Sequence, residues 1–237
     1  MRTADYVEPR PEVAIIDANS LTSDRPRPTL GSRRESMQPD ASTSVTHRTA
    51  RIVLTGAPGS GKTTIAAALA KLHPNRFILV PEAATQYYTS LGRRWDQLDI
   101  KNRKEAQRGI YRLQVEQETR LARTNPDKTL LLDRGTVDGS AYWPDGPDEY
   151  WQDLGTTLAD ELARYDRVLI LQTSAHLGLY DGDASNRVRF EDAAGAIANE
   201  KLIEQIWKPH PHRIIVHAEA DFGRKLAAVE AAVLHVR

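Results

Sequence analysis

The strongest constraint on this chain is the octapeptide G-A-P-G-S-G-K-T at 56–63, which fills the pattern G-x-x-x-x-G-K-[ST]. It stands between an apolar run, R-I-V-L-T at 51–55, and a helix-forming stretch, T-I-A-A-A-L-A-K at 64–71. Strand, glycine loop and helix in that order make a phosphate cradle. The glycines permit a tight turn that aims backbone N–H groups inward, and the positive end of the helix lies beneath the anion. Gly56, Ala57, Pro58, Gly59, Ser60, Gly61, Lys62, Thr63 and Thr64 are therefore expected to hold a nucleoside triphosphate. In that reading Lys62 reaches the β and γ phosphates and the Thr63 hydroxyl binds Mg²⁺.

Beyond the loop, short β-branched runs alternate with helical stretches, the pattern of βαβ units building a parallel sheet. Strands are expected at 51–55, 76–80, 129–133, 167–172 and 213–217. Helices are expected at 95–123, 148–164, 191–207 and 221–235. In the first of these, Ile100, Ile110, Leu113, Val115 and Leu121 form the expected buried stripe, and Asn125-Pro126-Asp127 stops the helix. The predicted class is α/β: a P-loop NTPase fold of three layers, α/β/α, around a parallel five-stranded sheet, with a kinase-like lid segment.

The 237 residues fit one domain with added segments. Residues 1–48 are rich in Pro, Ser, Thr, Arg and Asp and are expected to stay outside the domain as a disordered tail, because they bury too little apolar surface to offset ordering entropy. Only the run E-V-A-I-I-D at 12–17 has strand character there. Met37, the sole methionine after Met1, offers an alternative translation start before the domain at 49–237. Acidic and basic side chains balance at 32 each, which argues against a nucleic-acid partner held by a basic stripe. The chain has no cysteine, no secretory h-region and no apolar run near the roughly 20 residues a bilayer span needs, so the expected location is cytoplasmic.

In an open parallel sheet, ligands bind beyond the carboxyl ends of the strands. Asp133 closes the run T-L-L-L-D and is placed to bind Mg²⁺ directly or through water. The alternative is a strand-end acid capping the next turn. Arg134 reads as a contact to a substrate anion, or as the ion-pair partner of Asp133 or Asp138. Glu82 follows the second strand at the same sheet edge; it reads either as a base for an attacking hydroxyl or as a first-turn helix acid. Arg187 and Arg189, after a glycine- and aspartate-bearing loop, suit a lid that offsets transition-state charge, or else a solvated charged loop. The aromatics of Q-Y-Y at 86–88 and A-Y-W at 141–143 stack on a ring or fill the core, with Tyr142 the substrate-side candidate. His210, His212 and His217 lack an acid or cysteine at ligand spacing and read as structural.

Taken together, the loop at 56–64, V-P-E-A-A at 80–84, D-R-G-T-V-D-G-S-A-Y-W at 133–143 and N-R-V-R-F-E-D at 186–192 resemble the AAA-type P-loop family. That family includes the kinase part of bacterial NadR proteins and GTP- and lipid-binding trafficking factors of animals. The resemblance covers about residues 50–236. It implies a nucleoside-kinase-like fold, with Glu82 and Asp133 where such kinases keep substrate-side and Mg²⁺-side acids. It implies nucleotide binding; the sequence has no N-K-x-D motif to read a guanine ring, so ATP is the expected nucleotide, with Mg²⁺ at Thr63 and Asp133. NadR-type members phosphorylate nicotinamide riboside.

Two readings follow. In the first, a small-molecule kinase, Lys62 and the loop amides hold ATP, Thr63 and Asp133 organise Mg²⁺, Glu82 or Asp138 orients an acceptor hydroxyl, and Arg187 with Arg189 offsets charge. In the second, an ATP- or GTP-dependent binding module, weak hydrolysis controls association with a protein or lipid. The acceptor and the oligomeric state are not encoded in motif spacing.

Overall fold

The computed structural model describes residues 14–16, 48–180 and 192–234. Its strands are β1 (Ala14–Ile16), β2 (Arg51–Thr55), β3 (Phe77–Val80), β4 (Thr129–Asp133), β5 (Arg167–Leu171) and β6 (Arg213–Val216). They form one sheet in the order β1-β6-β5-β2-β4-β3, with every neighbouring pair parallel. The three strands β2, β4 and β5 are buried along almost their whole length, which is why they read as continuous apolar runs rather than as alternating ones. All five expected strands are present. The sixth, β1, comes from the segment expected to be tail: its backbone pairs with β6 from Ala14 opposite Ile214 to Ile16 opposite Val216. The open edge of β6 supplies unpaired backbone groups, and the apolar run at 13–16 is the one stretch there with strand propensity to meet them.

The helices are α1 (Lys62–Leu72), α2 (Ala83–Leu91), α3 (Ile100–Thr124), α4 (Pro147–Leu154), α5 (Leu158–Leu162), α6 (Ala193–Ile206) and α7 (Phe222–Leu234). Where one helix is expected over 148–164 there are two, because Gly155 takes a left-handed conformation at φ 69° and ends α4. The Thr157 hydroxyl then caps α5 by accepting from the Asp160 amide at 3.1 Å. Likewise α3 begins at Ile100, where the Asp99 carboxylate accepts from the Asn102 amide at 2.8 Å, and Trp95–Gln97 forms a separate 3-10 turn.

Alternate residues of each strand face opposite layers. Ile52, Leu54, Leu131, Leu169 and Leu171 meet Ile65 and Leu69 of α1 and Val229 and Val233 of α7. On the other face, Val53, Leu130, Leu132, Val168 and Ile170 meet Tyr150, Trp151, Ile203 and Trp207. The result is three layers, α/β/α, with the glycine loop leaving the central strand β2.

The expected apolar stripe of α3 is corrected by the structure. Ile100 is 62% exposed, and the buried residues of the helix are Ala106, Gln107, Gln114, Gln117 and Glu118. Ile110, Leu113, Val115 and Leu121 are half-buried, with Leu121 packed against the core, while the most deeply buried positions are mostly hydrogen-bonding groups. Glu118, fully buried, accepts from Gln114 Nε2 at 3.0 Å, Tyr165 Oη at 3.0 Å and Arg164 Nη2 at 2.6 Å. A buried charge with that many donors is satisfied where an unpaired one would cost several kcal/mol, on the order of 3–5.

Candidate functional site

The glycine loop's shape depends on positions where a side chain has no room. Gly56 has φ +143°, and a Cβ there would lie 2.2 Å from the Leu171 carbonyl oxygen at the end of β5. Gly59 has φ +73°, and its Cβ would lie 2.5 Å from the Tyr180 ring. Gly61, at φ 80°, turns the chain into α1, so that Lys62 and Thr63 occupy the first turn. Lys62 is buried, Thr63 and Thr64 are exposed, and the Ser60 Oγ is buried without a hydrogen-bond partner.

Asp133, the last residue of β4, lies opposite Leu54 of β2 and beside the loop. Burial pushes its carboxyl above the usual carboxylate range. The Lys62 ammonium, a Thr63 side-chain hydrogen bond and the Arg134 guanidinium pull it down, and Glu82 adds to the upward push. Its Oδ1 is buried and has no hydrogen-bond partner. An orphaned carboxylate oxygen next to a threonine hydroxyl fits Mg²⁺. That ion takes one or two protein oxygens and completes its shell with phosphate and water, so Asp133 and Thr63 would hold it here. Among the described residues no group of three His, Cys, Asp or Glu side chains converges on a metal, so a many-carboxylate centre is not built there.

Arg134 has φ 75°, the only positive φ of a non-glycine residue among those described. Such a backbone costs on the order of 1–3 kcal/mol and persists only when its surroundings over-determine it. Those surroundings are visible: its amide donates to Leu54 O at 3.0 Å, and its carbonyl accepts from Gln114 Nε2 at 3.3 Å. The strain directs the side chain to Glu82, where Nε donates to Oε1 at 2.6 Å. Nη1 lies 3.7 Å from Asp138 Oδ1, and both Nη atoms are buried without a hydrogen-bond partner. Of the two ion-pair partners expected from the sequence, Asp133 and Asp138, Asp138 is thus a distant one, and the close partner is instead Glu82. Glu82 accepts also from the Thr85 hydroxyl, at 2.6 Å to Oε2.

Asp138 is buried, with its carboxylate bonded within the protein, and it also lines the neighbouring cleft. Its Oδ1 accepts from Thr55 Oγ1 at 2.5 Å and from Trp207 Nε1 at 3.3 Å, and its Oδ2 accepts from the Gly135 amide at 2.8 Å. It ties the end of β2 to the turn after β4 and to the end of α6, and both oxygens are engaged in doing so. Tyr142 lies with its ring 5.8 Å from the Arg134 guanidinium and its hydroxyl 3.3 Å from Asn199 Oδ1. Arg187 and Arg189 lie outside the described residues.

Beside these groups opens a cleft of about 370 Å³ between α2, α3 and the turn at Thr136–Tyr142. Glu82 and Arg134 stand at the sheet end of it, and Pro58 brings the glycine loop to its rim. The walls include Tyr88, Trp95, Tyr142 and Trp143, so aromatics from both the 86–88 and the 141–143 clusters meet in one place. Arg93 and Arg94 are not among the residues that line it, and Arg94 pairs with Asp96. Burial pushes the Tyr88 phenol up to about 12, which keeps it protonated and hydrogen-bonded with Gln107. Gln107 and Gln114 do not stand out in the sequence. Their signal is a spacing of seven, two helical turns, which puts two amides on one face of an otherwise charged helix.

The chain's fold is shared with solved structures at low identity. A NadR protein in complex with NR matches at 19% identity and a TM-score of 0.57, covering 79% of this chain and 51% of that one. A NadR protein in complex with NAD and AMP-PNP matches at 17% identity and a TM-score of 0.55, covering 79% and 49%. Thymidylate kinase from Ehrlichia chaffeensis matches at 20% identity and a TM-score of 0.50, covering 78% of this chain and 97% of that one. The chain spans about half the length of the NadR chains it matches. No curated protein matches it. The fold is therefore one that this chain shares with the NadR proteins and with thymidylate kinase. Among family models, the one described as "AAA domain" matches residues 51–225, and the chain belongs to that family.

Proposed function

We propose that this chain is a kinase that moves the γ-phosphoryl group of Mg²⁺-ATP to the hydroxyl of a small, ring-bearing acceptor. The observation that carries this reading is the cleft: a walled, aromatic-lined space of about 370 Å³ whose inner end is formed by Glu82 and Arg134, next to the glycine loop. A ligand-sized, largely apolar cleft beside the loop is the kind of site that holds a small organic molecule.

In this reading the loop amides and Lys62 hold the phosphates, and Thr63 and Asp133 would hold a Mg²⁺ ion, which would supply charge neutralisation there. Tyr88, Trp95, Tyr142 and Trp143 would stack the acceptor's ring, and Gln107 would pair with its polar edge. The acceptor oxygen forms the new P–O bond as the bond to ADP breaks, and the hydroxyl proton passes to Glu82. Glu82 is held in place by Arg134 Nε and the Thr85 hydroxyl, each at 2.6 Å. Its larger contribution in this reading is orientation, which is sufficient for a loose transfer that asks for little covalent help.

The test is ADP release from ATP and Mg²⁺ across nucleosides, nicotinamide riboside and other small hydroxyl compounds. Acceptor-dependent release that Lys62→Ala abolishes supports the proposal. Slow release indifferent to every acceptor would sink it in favour of the binding module.

A further inference from the structure

The turn after β5 joins the glycine loop to helix α6 through a run of buried hydrogen bonds that the transfer chemistry leaves unused. Thr173, fully buried, donates its hydroxyl to the Pro58 carbonyl at 2.7 Å, and the Ser174 amide donates to the Gly59 carbonyl at 3.2 Å. Both acceptors lie on the outer rim of the loop. Thr173 is in turn held from the opposite side: its amide donates to Glu200 Oε2 at 2.5 Å. The other carboxylate oxygen, Oε1, meets His176 Nε2 at 2.6 Å. Glu200 is only 3% exposed and projects from the middle of α6, so a charged side chain has been buried to fix one turn of backbone.

Burying a carboxylate is costly, and a threonine packed by aliphatic neighbours would not require it. The cost has a local return. A carboxylate makes shorter and stronger bonds to N–H groups than a neutral acceptor, and Thr173 is bonded both to α6 and to the loop. The loop itself has three residues at positive φ, Gly56, Gly59 and Gly61, and from within only Pro58 and the Ser60 amide bond to the Ala57 carbonyl restrict the rim. Its inward N–H groups bind phosphate well only if they are aimed before the anion arrives, since the ordering cost otherwise comes out of the affinity.

We infer that Glu200 is a positioning residue for the nucleotide site: through the Thr173 amide and hydroxyl it holds the Pro58–Gly59 rim of the glycine loop in its binding shape. The residue before it, Asn199, reaches Tyr142 at the acceptor cleft, so α6 sets one wall on each side of the reaction. This inference rests on the reading of the glycine loop as the nucleotide site.

The experiment measures the affinity of the intact chain for Mg²⁺-ADP by calorimetry, well below the melting temperature, in Glu200→Ala, Glu200→Gln, Thr173→Val and the Glu200→Ala/Thr173→Val pair. Glu200→Ala and Thr173→Val should each weaken ADP by about tenfold, and the pair by no more than either alone, because both break one chain of bonds. Glu200→Gln keeps an acceptor for the Thr173 amide and should restore affinity to within about threefold of the parent. Unchanged ADP affinity in Glu200→Ala, even with a lowered melting temperature, would make Glu200 structural only and overturn the inference. Multiplying effects in the pair would overturn it too. Should Glu200→Ala not fold, Thr173→Val binding ADP as tightly as the parent does would overturn it equally. A parent chain that fails to bind ADP overturns the nucleotide site itself, and this inference with it.

Discussion

Arg134 Nε donates to Glu82 Oε1 at 2.6 Å, joining the residue that follows β4 to the second residue after β3 with under a tenth of either side chain exposed. Two strand ends are thereby locked together where they line the cleft. The pair is also where the chain accepts backbone strain, at Arg134 φ 75°.

Removing one partner leaves the other charged and buried. Arg134→Ala should therefore cost about 3–5 kcal/mol in urea unfolding. Adding Glu82→Gln to Arg134→Ala should recover part of that loss, since the orphaned charge is gone. Losses that simply add across the two substitutions would show that the two groups do not interact in solution.

Asp133 is predicted to trade stability for metal binding. Burial is the largest influence on its carboxyl and raises it, so the folded chain binds this proton more tightly than the unfolded one. Between the ordinary carboxylate pKa and the raised value, stability falls as pH rises, and at neutral pH the charge is a net cost. Asp133→Asn should then melt at or above the parent's temperature without ligand, while losing the Mg²⁺ dependence of nucleotide binding. A clear drop in melting temperature for Asp133→Asn would contradict this.

What the sequence made legible was periodic or motif-bound. The strands at 51–55 and 129–133 are found at those limits, because continuous apolar runs flanked by Arg, Thr and Asp leave one solution. Lys62, Asp133, Glu82 and Arg134 were identifiable as a group because a parallel sheet delivers all its strand ends to one edge. Two things were hidden. The buried face of α3 is polar, and apolar periodicity cannot find a stripe made of Gln107, Gln114, Gln117 and Glu118. Asp138 does line the cleft, but its hydrogen-bond partners, Thr55, Gly135 and Trp207, were hidden, because spacing gives a residue's place and not its bonds, and two of the three are distant in sequence.

The polar face of α3 carries its own prediction. Gln107 is buried beside Tyr88 and Gly139 at the cleft, on the acceptor side of the site. Gln107→Leu should leave Mg²⁺-ADP affinity within about twofold of the parent while lowering kcat/KM by at least about tenfold for the acceptor found in the ADP-release screen, because a lost amide pairing inside a closed pocket is heavily discriminated. Equal losses in both measurements would mean that the residue supports the fold rather than the acceptor.

Lys225 provides the clearest pH dependence. Its Nζ donates to the Gln172 carbonyl at 2.7 Å, and burial pulls its pKa down to about 8, with Glu200 and Glu219 acting in the opposite sense. An unfolded lysine titrates near 10.4, so between about pH 8 and 10.4 the unfolded chain holds a proton that the folded chain has shed. Stability contributed through this group therefore rises with pH across that window, and below it the buried ammonium is a constant cost. In Lys225→Met the group is gone and the rise with it. Melting temperatures of the two proteins across the window of about pH 7 to 10.5 should show the parent gaining on Lys225→Met above about pH 8. Parallel curves over that range would mean that Lys225 keeps an ordinary lysine pKa, and that the carbonyl of Gln172 and the two glutamates outweigh its burial.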